Sequence, residues 1–164
     1  MAEAASGSTS TVQVALTNTQ PNSVQSHPDA PRIDVGTSIR PRRPSSHFLE
    51  GPRIEYLKVC VPLYYAALNG DWATAKRILN EHPQALNAAI SYKHETALHI
   101  AARANQVHLV KLLVNTMKED IDLTLQDLEG NTSFSLAVAA GASQVIEILM
   151  HKNPELATTR VVKK

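Results

Sequence analysis

The sequence predicts an all-α solenoid of about three stacked helical repeats behind a disordered N-terminal tail. Three observations carry that expectation. Similar segments recur at a nearly constant interval, apolar residues inside each segment fall three and four positions apart, and most prolines crowd into the first third of the chain.

That first third differs in kind from the rest. Of the nine prolines, Pro21, Pro28, Pro31, Pro41, Pro44 and Pro52 all precede residue 53. The same stretch is rich in Ser, Thr, Gln and Asn and shows no sustained strand or helix period, so it lacks the apolar surface that would offset its chain entropy. The expected organisation is a disordered Ser/Thr/Pro-rich tail over residues 1–52, a repeat domain over 53–157 and a short C-terminal tail over 158–164. Inside the tail, Arg40-Pro41-Arg42-Arg43-Pro44-Ser45-Ser46 sets an arginine three residues before each serine. That pattern suits a kinase target or a weak nuclear address, and the plainer reading is a solvated tail segment.

Three segments align after the tail, beginning at Val61, Thr96 and Thr132, intervals of 35 and 36 residues. Leu63, Leu98 and Phe134 form the early apolar anchor of each copy, and Ala66, Ala101 and Ala137 follow as small residues that let two helices approach. Gly70 and Gly141 then stand where a turn requires a left-handed backbone, with Asn105 as the usual substitute in the middle copy. Second helices carry Ala75, Ile78 and Leu79, then Val110, Leu113 and Val114, then Ile146, Leu149 and Met150, each set on one face. Pro83 and Pro154, five residues after Ile78 and Leu149, stop those helices. A stripe of this width makes no core alone, so the copies must stack.

Thr96-Ala97-Leu98-His99-Ile100-Ala101-Ala102 and the preceding-turn pattern Asp127-Leu128-Glu129-Gly130 resemble the ankyrin repeat, with its D-x-x-G turn and T-P-L-H-x-A-A helix start. The first copy keeps Pro62-Leu63 and Ala66-Ala67. An extra turn of linker would reconcile the interval with the ankyrin unit of about 33 residues. Thr96 and Thr132 are expected to cap their helices, Val61 is not, and Pro62 suits the first turn of a helix. The resemblance implies that His99 ties adjacent repeats through backbone hydrogen bonds, with Tyr64 and Ser135 at the corresponding positions of the other copies. Gly70-Asp71-Trp72 and the Asn-Pro-Glu-Leu ending at Leu156 are similar to plant ankyrin proteins that continue into a C-terminal PGG membrane domain. That domain is absent from this sequence, which suggests a truncated or alternatively spliced member, or a fragment. The same resemblance implies defence or stress signalling.

Lys plus Arg number 16 against 15 Asp plus Glu, a net charge of +1, which leaves no electrostatic footprint for nucleic acid or an anionic membrane. The single cysteine, Cys60, excludes an internal disulfide and reads as a small, semi-buried residue rather than a nucleophile. There is neither a secretory signal nor a run long enough to span a bilayer, so the expected location is cytoplasmic, at most held to a membrane's cytosolic face by partners. His94, His99 and His108 match no zinc spacing, and phosphate-loop, dinucleotide, zincin and nucleophile-elbow motifs are all missing. Asn131-Thr132-Ser133 is a chance sequon that overlaps a helix cap. No catalytic, metal or cofactor site is expected.

The expected function is a non-enzymatic protein-binding scaffold that presents a concave groove at turn tips and first-helix inner faces. Carrying the family's variable positions onto this chain gives Tyr92, Lys93, Glu95, Arg103, Ala104, Leu128, Glu129 and Asn131 as partner contacts. Tyr92 and Arg103 are the preferred anchors because Tyr and Arg dominate interface energetics; for each position the alternative is an ordinary solvated turn residue. The apolar set Ile146, Ile148 and Leu149, with no following repeat, predicts marginal stability or association through that end. A second functional reading is a regulatory fragment that pairs with full-length membrane-bound relatives.

Overall fold

Helix-breaking and helix-capping residues divide the chain as the repeat pattern requires. The computed structural model describes residues 40–158, so the expectations for residues 1–39 and 159–164 lie outside the described residues. Two short helices, α1 (His47–Glu50) and α2 (Arg53–Glu55), precede three helix pairs: α3 (Val61–Asn69) with α4 (Trp72–Glu81), α5 (Ala97–Arg103) with α6 (Val107–Thr116), and α7 (Ser133–Ala140) with α8 (Ser143–Lys152). Helix α5 packs between α3 and α7, while α6 packs on α8. Among the described residues there is no strand, only an isolated parallel bridge between Ser45 and Ala88.

The turn residues do what the sequence assigned them. Gly70, Asn105 and Gly141 sit between the paired helices at φ 76°, 55° and 68°. Thr96 and Thr132 cap α5 and α7, and each cap is reciprocal. Thr96 Oγ1 accepts from His99 N–H at 3.4 Å while His99 Nδ1 accepts from Thr96 N–H at 3.2 Å. Thr132 Oγ1 accepts from Ser135 N–H at 3.2 Å, and Ser135 Oγ accepts from Thr132 N–H at 2.9 Å. A capping box ordinarily closes with Glu or Gln at its fourth position; here His99 and Ser135 provide the acceptor. Asp71 caps α4 in the simpler way, accepting from Thr74 N–H at 3.1 Å.

Each second helix is followed by one turn of 3₁₀ helix, at Pro83–Leu86, Asp120–Thr124 and Pro154–Ala157, which supplies the extra linker that the repeat interval demands. Leu63, Ala66, Ile78, Leu98, Ala101, Leu109, Leu113, Ala137, Val145 and Leu149 form one buried cluster. The third copy is less covered: Phe134, Ile146 and Ile148 are only partly buried, and Met150 remains 38 % exposed. Leu149, expected among the uncovered set, is instead fully buried, because it faces inward along the stack while Ile146 and Ile148 sit at its edge.

Two expectations need correction. Pro62 falls in the first turn of α3, yet that turn is not a free helix start: α2, a π-helical turn at Tyr56–Cys60 and α3 follow one another without leaving helical backbone. Val61 N–H reaches back five residues to Tyr56 O. That wider turn accommodates a proline, whose ring would otherwise collide with the carbonyl four residues earlier. The second correction concerns the stretch before residue 53. Ser45 N–H donates to Asn87 O at 3.2 Å, Ala89 N–H donates to Ser45 O at 2.8 Å, and Gln126 N–H donates to Arg42 O at 2.7 Å. Pro44 is buried and Phe48 is 1 % exposed, its ring edge-on to His82. Residues 42–50 are therefore a strap laid against the repeats. Two buried side chains and a few backbone bonds hold it, which average composition does not register.

Candidate interaction surface

Two turns project between the helix pairs, and the sequence builds them with different chemistry on the same plan. In Asp127-Leu128-Glu129-Gly130, the buried Asp127 carboxylate accepts from Glu129 N–H at 2.9 Å, Asn131 N–H at 2.8 Å and Asn131 Nδ2 at 3.1 Å. Gly130 provides the positive φ of 85°. Thirty-six residues earlier, Ser91-Tyr92-Lys93-His94 repeats the shape with a serine at the head and His94 at φ 60°. Left-handed backbone is uncommon outside glycine, with histidine among the more tolerant residues. Ser91 Oγ donates to Glu95 Oε2 at 2.8 Å and accepts from Glu95 N–H at 3.3 Å, the counterpart of the Asp127–Asn131 clasp.

The tips are joined. Leu128 N–H donates to Lys93 O at 2.9 Å, and Lys93 Nζ pairs with Glu129 Oε1 at 3.3 Å. Beneath them His99 acts as the cross-tie that the family resemblance implied. Its Nε2 donates to Leu125 O at 3.0 Å and Asn131 O at 3.2 Å. The donor role follows from the other nitrogen: Nδ1 accepts from Thr96 N–H, so the proton of the neutral ring belongs on Nε2. Burial lowers the His99 pKa below its ordinary value, against the opposing pull of Asp127 and the two carbonyls.

On this scaffold the expected contact residues separate. Tyr92 is 76 % exposed and Leu128 50 %, both at the tips. Lys93 and Glu129 are exposed but engaged with each other. Glu95, expected at the surface, is only 2 % exposed, and its carboxylate takes the Arg103 guanidinium on one oxygen and Ser91 on the other. Burying a carboxylate is costly unless partners of this kind satisfy its oxygens. Asn131 is likewise committed, its side chain to Asp127 and Glu129 and its carbonyl to His99. Arg103 offers only the outer part of a guanidinium tethered to Glu95, with a side chain 41 % exposed. Ala104 is a partly buried helix end.

The structure adds residues that sequence reasoning missed. Tyr56 lies beside Tyr92, ring centres 5.6 Å apart and tilted by 36°, and burial followed by the neighbouring Tyr92 raises its pKa. Exposed Ile54, Leu57, Tyr65 and Leu68 belong to the same long first helix. A signal was present: all four tyrosines fall between residues 56 and 92. Away from the tips, a cleft of about 450 Å³ opens between the ends of α4 and α6, lined by Leu79, Pro83, Leu86, Thr116, Lys118 and Glu119 among others, without histidine or cysteine.

Cys60 is fully buried, and burial pushes its thiol up to about 11, so the thiolate a nucleophile needs is scarce near neutral pH. Among the described residues no cluster of His, Cys, Asp and Glu is placed to hold a metal ion, and no helix is long and apolar enough to cross a membrane.

Paired helices, left-handed turn residues and a histidine-tied turn define a helical-repeat protein of the kind that binds through its surface. A family model for ankyrin repeats in three copies matches residues 63–160, and the chain belongs to the ankyrin-repeat family. Ankyrin repeats are protein–protein interaction modules and are generally non-enzymatic.

Proposed function

We propose that this chain is a non-enzymatic scaffold that engages a protein partner through the joined turn tips and the exposed residues of its long first helix. The observation that carries this reading is the Tyr56–Tyr92 pair, a mostly exposed aromatic ring steadied by a second ring on a turn whose backbone is fixed. Rigid aromatic anchors contribute large contact area at small entropic cost, which is why they dominate interface energetics. Partner contact centres on Tyr92 and Leu128, with Lys93, Glu129 and the outer edge of Arg103 as the polar rim. The resemblance to plant ankyrin proteins favours a role for this binding in defence or stress signalling, on the cytosolic side.

Crosslinking with mass spectrometry in the native cells tests it, comparing wild type with the double variant Tyr92→Ala, Leu128→Ala. Both side chains are exposed, so the fold survives, as an unchanged circular dichroism spectrum and melt would show. Partners crosslinked to the wild type should be lost from the variant; an identical partner set would remove the tips from the interface.

A second reading rests on the partly covered apolar residues Ile146 and Ile148 with exposed Val138 in the third repeat. These suit stacking against the repeats of a full-length, membrane-bound relative. Co-purification of such a relative, abolished by Ile148→Glu, favours it over the first.

A further inference from the structure

The strap formed by residues 42–50 has few attachments to the repeats, and it carries a hydroxyl set behind arginines. Arg43 Nη1 donates to Asp127 O at 2.9 Å, Arg42 O accepts from Gln126 N–H, and the Ser45 backbone is held on both sides by Asn87 and Ala89. Ser46 Oγ donates to the Glu50 carboxylate. Arg43 stands three residues before Ser46, and Arg42 three before Ser45. An arginine at that offset is what an Arg-directed protein kinase grips with acidic side chains, guanidinium and carboxylate matching in a two-pronged pair.

The two serines differ in what a phosphate would meet. Ser45 Oγ accepts a long bond from His47 N–H at 3.4 Å, and no carboxylate among the described residues bonds to it. The Ser46 hydroxyl is in contact with Glu50, so replacing its proton by a phosphoryl group turns an attraction into an apposition of like charges.

We propose that Ser46 is the phosphoacceptor of an Arg-directed serine kinase, and that phosphate there releases residues 42–50 from the repeats. In the transfer, Ser46 Oγ bonds to the γ-phosphorus of ATP as the bond from that phosphorus to the β,γ-bridging oxygen breaks. ADP leaves, and the hydroxyl proton passes to the kinase's catalytic base. The product carries about −1.5 to −2 charge near neutral pH. It repels Glu50 and competes with the Asp127 carbonyl for Arg43, since an ionised acceptor binds a guanidinium more strongly than a neutral one. Both changes act on the same short segment. Its detachment uncovers the seat of Phe48 and frees the Ala89 and Gln126 amides on the connections between repeats. The kinase reaches Ser46 through brief opening of the Ser45–Ala88 bridge, the kind of local opening expected where few bonds hold a segment.

The experiment uses the full chain, the catalytic subunit of cAMP-dependent protein kinase and ATP, with phosphosite mapping followed by hydrogen–deuterium exchange. One phosphate is expected on Ser46; Ser46→Ala blocks it and Ser45→Ala does not. In the phosphorylated protein the amides of Ser45, Ala89 and Gln126 should exchange roughly tenfold faster or more, while those of α5 and α6 keep their protection. Phosphorylated Glu50→Gln, without the opposing carboxylate, should show a smaller acceleration. Absence of phosphate from Ser46, phosphate on Ser45 alone, or unchanged exchange at these three amides after modification of Ser46 would each overturn the proposal.

Discussion

Replacing His99 by alanine tests whether one buried ring fastens the middle repeat to the third. The ring satisfies Thr96 N–H through Nδ1 and shares one proton between Leu125 O and Asn131 O through Nε2. Thr96 and His99 are each only 2 % exposed, so water is poorly placed to replace what is lost. The substitution orphans one buried donor and deprives one carbonyl of its partner. At about 1–3 kcal/mol for each unsatisfied group, the cost is about 2–6 kcal/mol, centred near 4. A domain of this size has about 5–15 kcal/mol in total, and 1 kcal/mol corresponds to about 4 °C, so the melt should fall by about 15 °C. Urea unfolding followed by far-ultraviolet circular dichroism measures the loss directly. Ser135→Ala is the internal control, because Ser135 completes a capping box in the third repeat without a cross-tie to a neighbouring turn; it should cost about 1 kcal/mol. If His99→Ala costs no more than Ser135→Ala, the ring is merely a cap and the cross-tie carries no weight.

Three further outcomes are expected. Stability should fall on acidification: His99 stays neutral when folded below the pH at which it gains a proton unfolded, so the unfolded state binds more protons in that window, and stability is lost from about pH 6.5 downward at up to about 1.4 kcal/mol per pH unit from this group. Unfolding curves at a series of pH values, in wild type and His99→Ala, check this, since only the wild type should show that component. Gly70→Ala should destabilise more than Gly141→Ala, because a Cβ at Gly70 lies 2.4 Å from Gln106 Oε1 whereas none crowds it at Gly141. The left-handed backbone alone costs about 1–2 kcal/mol, and displacing Gln106 also breaks its 2.7 Å bond to Leu68 O, so equal melts for the two variants would contradict the close approach. Phe48→Ala should cost about 3–5 kcal/mol by calorimetry or denaturant; a cost under about 1 kcal/mol would show that the strap does not belong to the core.

The repeat architecture could be read from residues because each repeat states it locally. A glycine or asparagine is needed where the backbone turns left-handed, a threonine where α5 and α7 begin, and small alanines where helices touch, and none of these requirements depends on distant sequence. What escaped was set by partners far along the chain. Phe48 and Pro44 are isolated apolar residues in polar surroundings, and only their packing against the repeats gives them structural meaning. Pro62 obeys a rule for helix starts, yet the preceding residues are themselves helical, so the conflict is settled by a wider turn instead of a break. Among the candidate contacts, Tyr92 and Leu128 were legible as tip residues. Glu95 and Asn131 were not distinguishable from them, since a variable position in a repeat pattern does not disclose that Arg103 or Asp127 claims its side chain.

The bond from Leu128 N–H to Lys93 O, reinforced by the Lys93–Glu129 pair, makes a single platform of two neighbouring fingers. On the proposed reading, a partner that lands on Tyr92 meets Leu128 at a spacing settled before it arrived, so little ordering remains to be opposed during docking. The same linkage means that grafting a foreign tip onto either finger disturbs the other, and redesign of specificity has to treat the pair as one unit.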